Sequence, residues 1–339
     1  PVLPVDTVVT ETLTPGFFAS IYRFTGAASS RLFFDSQGSN SGANWNFYGP
    51  NNEALGSANV IYDFDVTLAP AGVHTLVVSG ASPTPVPVTF QVVTAPTVTT
   101  PLTLGAAVNG TIAEPGEQHH FTFTGIPGQR LYYDAHDGDF DQINVRLYAP
   151  SGGNVHINQN SDSDWGPFTL AEAGTYTLII SGSGSWTGDY SFRMLNVADQ
   201  TALAFDSLIS ASLNPGRSTR LYPFTGTVGQ RLYFDGQGSD SEGDWVLYGP
   251  NNETLGSANV IYDFEVTLGA AGVYLLAVRG NSPDPLPVSL QVVTPQAPSN
   301  PLTLGATVTG NVLEAGEDLV YTFSGAPGQR LYYDALDGD

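Results

Sequence analysis

Asp134, Asp137, Asp139 and Asp141 crowd one short stretch, with Gly138 among them to allow a tight bend. Carboxylates at alternate loop positions can converge on a hard cation such as Ca2+, which takes six to eight oxygen ligands. The stretch is not an EF-hand: Gln142 stands where the turn glycine belongs, and Tyr148 where the bidentate acid belongs. Asp334, Asp337 and Asp339 repeat the start of the pattern. Two weaker sets accompany it. Asp162 and Asp164 form one; Asp35, Asp63 and Asp65 form the other, matched further on by Asp235, Asp263 and Glu265. Residues two apart share a strand face, so Asp63 and Asp65 could meet Asp35 at a sheet edge in a second oxygen site. The competing reading is a solvated acidic hairpin loop, although unpaired like charges so close would repel one another.

Catalytic chemistry finds little support. Arg31/Asp35, Arg130/Asp134, Arg231/Asp235 and Arg330/Asp334 repeat an Arg-x-x-x-Asp spacing, read as a structural ion pair near a sheet end. The five histidines are scattered, and the second copy has Tyr274, Leu319, Val320 and Leu336 in place of four of them. His119 and His120 point to opposite faces if they lie on a strand. Gly182-Ser183-Gly184-Ser185 is a flexible turn, with no helix after it to make a nucleophile elbow. Trp45 and Trp245 hold matching places beside a glycine-rich loop, where they either stack on sugar rings or pack in the core. The chain is read as a non-enzyme.

Composition points the same way. Charged residues are 12% of the chain, while Gly (38), Pro (24), Tyr (16) and Phe (18) are abundant. Branched and aromatic side chains suit a pleated surface, and Gly and Pro suit its turns. There are 32 acidic residues against 10 basic ones, all Arg, for a net charge of -22. Such a field repels phosphate backbones and anionic lipid heads and attracts cations. Cys is absent, which excludes disulfides and thiolate chemistry; Lys is absent, which excludes Schiff-base chemistry. No apolar run approaches the roughly 20 residues that span a bilayer. The sequence opens at Pro1 without a signal peptide, so secretion is inferred.

These residues sit in a repeat. Leu-Gly-Ser-Ala-Asn-Val-Ile-Tyr-Asp-Phe is identical at 55–64 and 255–264, and Arg-Leu-Tyr-Tyr-Asp-Ala recurs at 130–135 and 330–335. Inside this 200-residue period lies a weaker one of about 100. Pro15-Gly16, Pro115-Gly116, Pro215-Gly216 and Ala315-Gly316 mark a shared turn, and each precedes an Arg-Leu-aromatic-aromatic-Asp strand. The order is A (1–97), B (98–197), A′ (198–297) and a partial B′ (298–339), which a neighbouring chain or a longer polymer is expected to complete. The A-to-B joints (94–101 and 294–301), rich in Pro and Thr, predict short semi-rigid linkers. The joint at 197–201 has no Pro and predicts a closer contact. Short alternating strands between turn residues predict an all-β chain of tandem β-sandwich, jelly-roll-like domains in a linear array.

The landmarks resemble the bacterial pre-peptidase C-terminal domain. They are clearest in B: Pro115-Gly116-Glu117 before Phe121-Thr122-Phe123, Gly128-Gln129-Arg130-Leu131-Tyr132-Tyr133, Leu147-Tyr148-Ala149-Pro150-Ser151-Gly152, Ala173-Gly174-Thr175-Tyr176-Thr177-Leu178 and Gly188-Asp189-Tyr190. The resemblance implies a secreted β-sandwich module of the kind that accompanies proteases, with relatives that bind calcium, collagen or polysaccharide. No protease domain is present, so the enzymatic association does not carry over. A and A′ depart from the pattern: Pro85-Val86-Pro87 and Pro285-Leu286-Pro287 replace the final strand entry, which predicts an edge strand there.

The sequence is therefore read as a structural component of an extracellular or cell-surface bacterial fibre, sheath or layer, calcium-stabilised and associating with copies of itself. A polysaccharide- or collagen-binding adhesin module is the alternative. Nucleic acid and membrane insertion are excluded as partners. Calcium restored to chelated protein is expected to raise the melting temperature, because a ligand of the native state stabilises it. No shift at millimolar metal would remove calcium from this reading.

Overall fold

The computed structural model describes residues 1–137, 142–152 and 155–336. The chain divides into two compact units. Residues 1–200 with 214–219 and 282–285 form the first; 201–213, 220–281 and 286–339 form the second.

In the first unit, sandwich A contains β1 (Val8–Leu13), β2 (Ala19–Gly26), β3 (Arg31–Ser36), β4 (Ala43–Tyr48), β5 (Ala54–Asn59), β6 (Phe64–Thr67), β7 (Gly72–Gly80) and β8 (Val86–Thr94). They pair as two four-stranded sheets, β1-β8-β3-β6 and β2-β7-β4-β5. Sandwich B follows with β9 (Thr97–Pro101), β10 (Val108–Ile112), β11 (Gln118–Gly125), β12 (Arg130–Ala135) and β13 (Ile143–Tyr148). It continues with β14 (Val155–Asn160), β15 (Trp165–Thr169), β16 (Gly174–Gly182) and β17 (Gly188–Asn196). Its sheets run β10-β17-β12-β15 and β14-β13-β16-β11-β9.

In the second unit, A′ repeats the plan of A with β18 (Leu208–Leu213), β19 (Thr219–Gly226), β20 (Arg231–Gly236) and β21 (Gly243–Tyr248). β22 (Thr254–Asn259), β23 (Phe264–Thr267), β24 (Gly272–Gly280) and β25 (Leu286–Val293) complete it. The sheet orders are β18-β25-β20-β23 and β19-β24-β21-β22. B′ contributes β26 (Ser299–Pro301) and β27 (Val320–Thr322), paired in parallel. The expected all-β tandem sandwich is the observed fold. Among the described residues no helix is long and apolar enough to cross a membrane.

Period-two alternation builds each core. Along β7, His74, Leu76 and Val78 are buried and the residues between them are not. Phe34 stacks on Phe64 with ring centroids 4.3 Å apart, and Trp45 meets both edge-on. Phe234, Phe264 and Trp245 reproduce this cluster in A′, with the stacked centroids at 4.2 Å. Core B has no such trio; Val145 stands where Trp45 does, and Tyr133 stacks on Phe192 instead.

Two expectations need correction. The stretch read as an A-to-B linker is largely β9, which pairs in parallel with β11 from Thr97 to Pro101. The Pro-containing strand of A is no edge strand either, because β8 lies between β1 and β3. Pro87 is tolerated because β1 pairs with residues 86–91 but β3 only with 90–94, so β8 has one neighbour at the proline. Pro287 repeats this, with β18 on 286–291 and β20 on 290–293.

Trp45 and Trp245 are both fully buried. The Trp45→Ala variant is expected to destabilise sandwich A by roughly 3–5 kcal/mol, seen as an earlier urea transition. Acrylamide should quench only exposed Trp165 and Trp186 in the folded wild type.

Candidate functional site

The Arg-Leu-aromatic-aromatic-Asp strand reappears as β3, β12 and β20, and alternation divides its side chains between two roles. Leu32 and Phe34 enter core A, Leu131 and Tyr133 core B, and Leu232 and Phe234 core A′. The intervening aromatic faces outward from its sandwich. In A this is Phe33, which clusters with Val93 and Ala95 and is only 6% exposed. Gly116 covers it: a Cβ there would lie 2.4 Å from the Phe33 Cβ, and the φ of +76° is a left-handed value that favours glycine. In the second unit Gly316, at φ +73°, lies against Tyr233 in the same way.

The acidic sets of A and A′ gather along this outward face, and each of their carboxylates has a partner within the protein. Asp63 accepts the Ser36 N–H at 2.8 Å, and burial pushes its carboxyl above the usual carboxylate range. Asp35 accepts from the Gln37 amide at 2.9 Å, and Asp65 pairs with Arg31 at 3.2 Å. The Arg31–Asp35 ion pair read from the sequence is therefore corrected to Arg31–Asp65. Four residues along a strand cover about 13 Å. Asp65 is a closer diagonal neighbour, because it lies opposite Phe33 in the β3–β6 register. A′ repeats the arrangement. Asp263 accepts from the Gly236 N–H and the Tyr233 hydroxyl at 2.9 Å each, Asp235 accepts from Gln237, and Glu265 pairs with Arg231 at 2.6 Å.

In B the site is deeper. Asp134 is fully buried; one oxygen accepts from Arg193 and lies 2.9 Å from His136 Nε2. The other accepts the Thr219 N–H at 2.8 Å. Asp164 accepts from the Tyr132 hydroxyl (2.9 Å), the Ala135 N–H (2.8 Å) and the Thr219 hydroxyl (2.7 Å). Thr219 lies in the 214–219 segment, which belongs to the same compact unit as B. Asp162 is buried nearby, with the Ser161 hydroxyl 3.4 Å from its carboxylate. Both Asp134 oxygens are thus committed to protein donors, which removes Asp134 from the calcium loop read from the sequence.

Asp137 lies beyond the end of β12, and Asp139, Asp141, Asp337 and Asp339 lie outside the described residues; Asp334 is exposed. Among the described residues no three acidic or histidine side chains converge so as to hold a metal. Buried Trp45 and Trp245 cannot stack on a sugar, which corrects that reading: their indoles fill the cores. His119 and His120 have separate partners, Glu117 with Tyr190 for the first and Gln118 for the second.

Sequence reasoning missed Thr219 and Arg193. The signal for Thr219 was present, since its counterpart in A is Ala19, which cannot offer a hydroxyl. No sequence pattern marked Arg193, which meets Asp134 because Asp134↔Arg193 is a cross-strand pair of β12 and β17.

No protein-family model matches the chain, and no curated protein matches it in sequence. Solved structures similar to parts of it are β-sandwich proteins. One is the Aeromonas hydrophila periplasmic inhibitor of g-type lysozyme (16% identity, 30% of this chain and 96% of that one, TM-score 0.26). Another is the pre-peptidase C-terminal domain of a Bacillus anthracis collagenase (14% identity, 30% and 95%, TM-score 0.25). The CUB1-EGF-CUB2 region of human MASP-1/3 covers more of the chain (9% identity, 55% and 99%, TM-score 0.18). The chain is a tandem β-sandwich module.

Burial, reinforced by the charge of Asp134, pushes the Asp164 carboxyl from 3.8 up to about 6. A carboxyl raised on folding binds protons more tightly in the native state. Its contribution is full below the unfolded value and is lost as pH rises through about 6. The Asp164→Asn variant should lack this slope. Its melting temperature relative to wild type is expected to climb between pH 4 and 7, as read by calorimetry.

Proposed function

We propose that the chain is a structural element of an extracellular bacterial fibre, sheath or surface layer, in which sandwiches follow one another end to end. The observation that carries this reading is the use of the outward strand face. Phe33, Tyr132 and Tyr233 are each engaged at a sheet end, Phe33 and Tyr233 by a glycine turn and Tyr132 through the Asp164–Thr219 cluster. Burial along a chain of small sandwiches makes stability a sum of units and their contacts, as in other repeat proteins.

The loop that carries Thr219 has a counterpart in A. Arg217 is half-buried and Ser218 buried, whereas the equivalent Phe17 and Phe18 are 65% and 58% exposed. The occupant we assign to Phe17 and Phe18 is the B′ end of a second copy. There, Leu336 replaces His136, as Phe17 and Phe18 replace Arg217 and Ser218, so the assigned contact is apolar on both sides. Leu336 is itself exposed. A head-to-tail contact of this kind generates a filament wherever its rotation does not close into a ring. Calcium at the acidic loop from Asp137 to Asp141 is part of the proposal.

Negative-stain imaging of the native material is expected to show linear or sheet-like assemblies; dispersed particles would overturn the fibre reading. The double variant Phe17→Arg/Phe18→Ser installs the residues of A′. It should lower self-association at least tenfold in sedimentation experiments without changing the melting curve. Unchanged association would sink the assigned contact.

A further inference from the structure

The A-type sandwich keeps one stretch of its surface constant while its core changes. Residues 48–64 and 248–264 differ only at Ala54/Thr254. Over the same domain, buried Phe47, His74 and Phe90 become Leu247, Tyr274 and Leu290. Core substitutions are the costlier kind, so stability alone does not account for a fixed surface. Part of the stretch has internal work: Glu53 accepts the Asn51 N–H, Asn59 donates to the Ser41 carbonyl, and Gly56 makes room for the ring of Phe64. Ser57 and Tyr62, however, are exposed in A, as are Ser257 and Tyr262 in A′. Their constancy points to a contact outside the sandwich.

The stretch is built around β5 and β22, each the outermost strand of its sheet. An outermost strand offers unpaired backbone groups, which charge, proline or a covering segment commonly guards. In A, β1 carries Glu11, β6 carries Asp65, and β2 is partly covered by Pro1–Leu3. β5 (Ala-Leu-Gly-Ser-Ala-Asn) and β22 (Thr-Leu-Gly-Ser-Ala-Asn) contain neither charge nor proline. The Val60 N–H bonds to the Ala43 carbonyl, which fixes the alternation of bonds between β4 and β5. Ser57, opposite Asn46, therefore turns its own N–H and C=O away from β4. Ser257, opposite Val246, repeats this in A′. We propose that this edge pairs antiparallel with the same edge of a second copy of the chain, serine opposite serine. Such pairing sets the turn at one end of the strand (59–62) beside the hairpin tip (49–53) of the neighbouring copy. The constant stretch is centred on Gly56, next to Ser57, as self-pairing of this strand requires. An uncharged strip also suits the approach of two chains that each carry a net charge of -22. The contact is lateral and does not rest on the head-to-tail one.

The full chain carrying Phe17→Arg/Phe18→Ser, which removes the head-to-tail contact, isolates the lateral one. Sedimentation equilibrium of this chain is expected to show a weaker, reversible self-association. Hydrogen exchange at the Ser57 and Ser257 amides should slow as its concentration rises. Adding Ser57→Lys and Ser257→Lys should weaken that association at least tenfold and leave the melting curve unchanged. Two lysines make the chain less negative and by charge alone would favour association, so a loss reports on the edge itself. If the lysine variant melts early, Tyr62→Ala with Tyr262→Ala serves instead and should weaken association severalfold. A chain without the head-to-tail contact that stays monomeric, or association that survives the folded edge variant, would overturn lateral pairing and leave the head-to-tail contact untouched.

Discussion

The constraint on which the structure depends is the two-residue period of one short strand, present as β3, β12 and β20. Because neighbouring side chains point to opposite faces, a Leu and an aromatic fill the core of the sandwich while the aromatic between them faces out. One strand therefore both closes its own domain and presents a surface at its edge. The outward residue must be covered. In the A-type sandwiches the covering group is a glycine turn with positive φ, Gly116 over Phe33 and Gly316 over Tyr233, because a Cβ would collide with the ring.

The cluster around the outward residue of B, within the first unit, is built differently. Two carboxylates are buried there, and buried charge is tolerated only when its hydrogen-bonding capacity is met. Arg193, His136 and the Thr219 N–H meet that need for Asp134, while Tyr132, Ala135 and Thr219 do so for Asp164. Breaking one partner of such a group leaves a buried charge exposed to a low-dielectric surrounding, so specificity of fit follows from the same groups that are expensive to bury.

The acidic residues show how much of the site was legible. Asp35, Asp63 and Asp65, read as one set, lie along one sheet edge, whereas Asp134, read with Asp137, Asp139 and Asp141, gathers with Asp162 and Asp164, which were read as a separate set. Their partners were not legible. Arg31 is four residues from Asp35 in sequence but pairs with Asp65, 34 residues away. Asp134 is held by Arg193, 59 residues on, and by Thr219, 85 residues on. Strand order sets those distances, and one chain read in isolation does not disclose it. The same limit explains Pro87, whose place in an interior strand depends on where β3 stops.

The sequence by itself determined the all-β class, the repeat of about one hundred residues and the alternation that assigns Leu32 and Phe34 to a core, because these are properties of neighbours along the chain. Only tertiary structure decided that Trp45 and Trp245 lie inside rather than on a binding face, and that Asp134 bonds to protein donors instead of facing a free loop. Burial and pairing arise between segments far apart in sequence. A side chain's type limits what it can do, but the groups folded against it determine what it does.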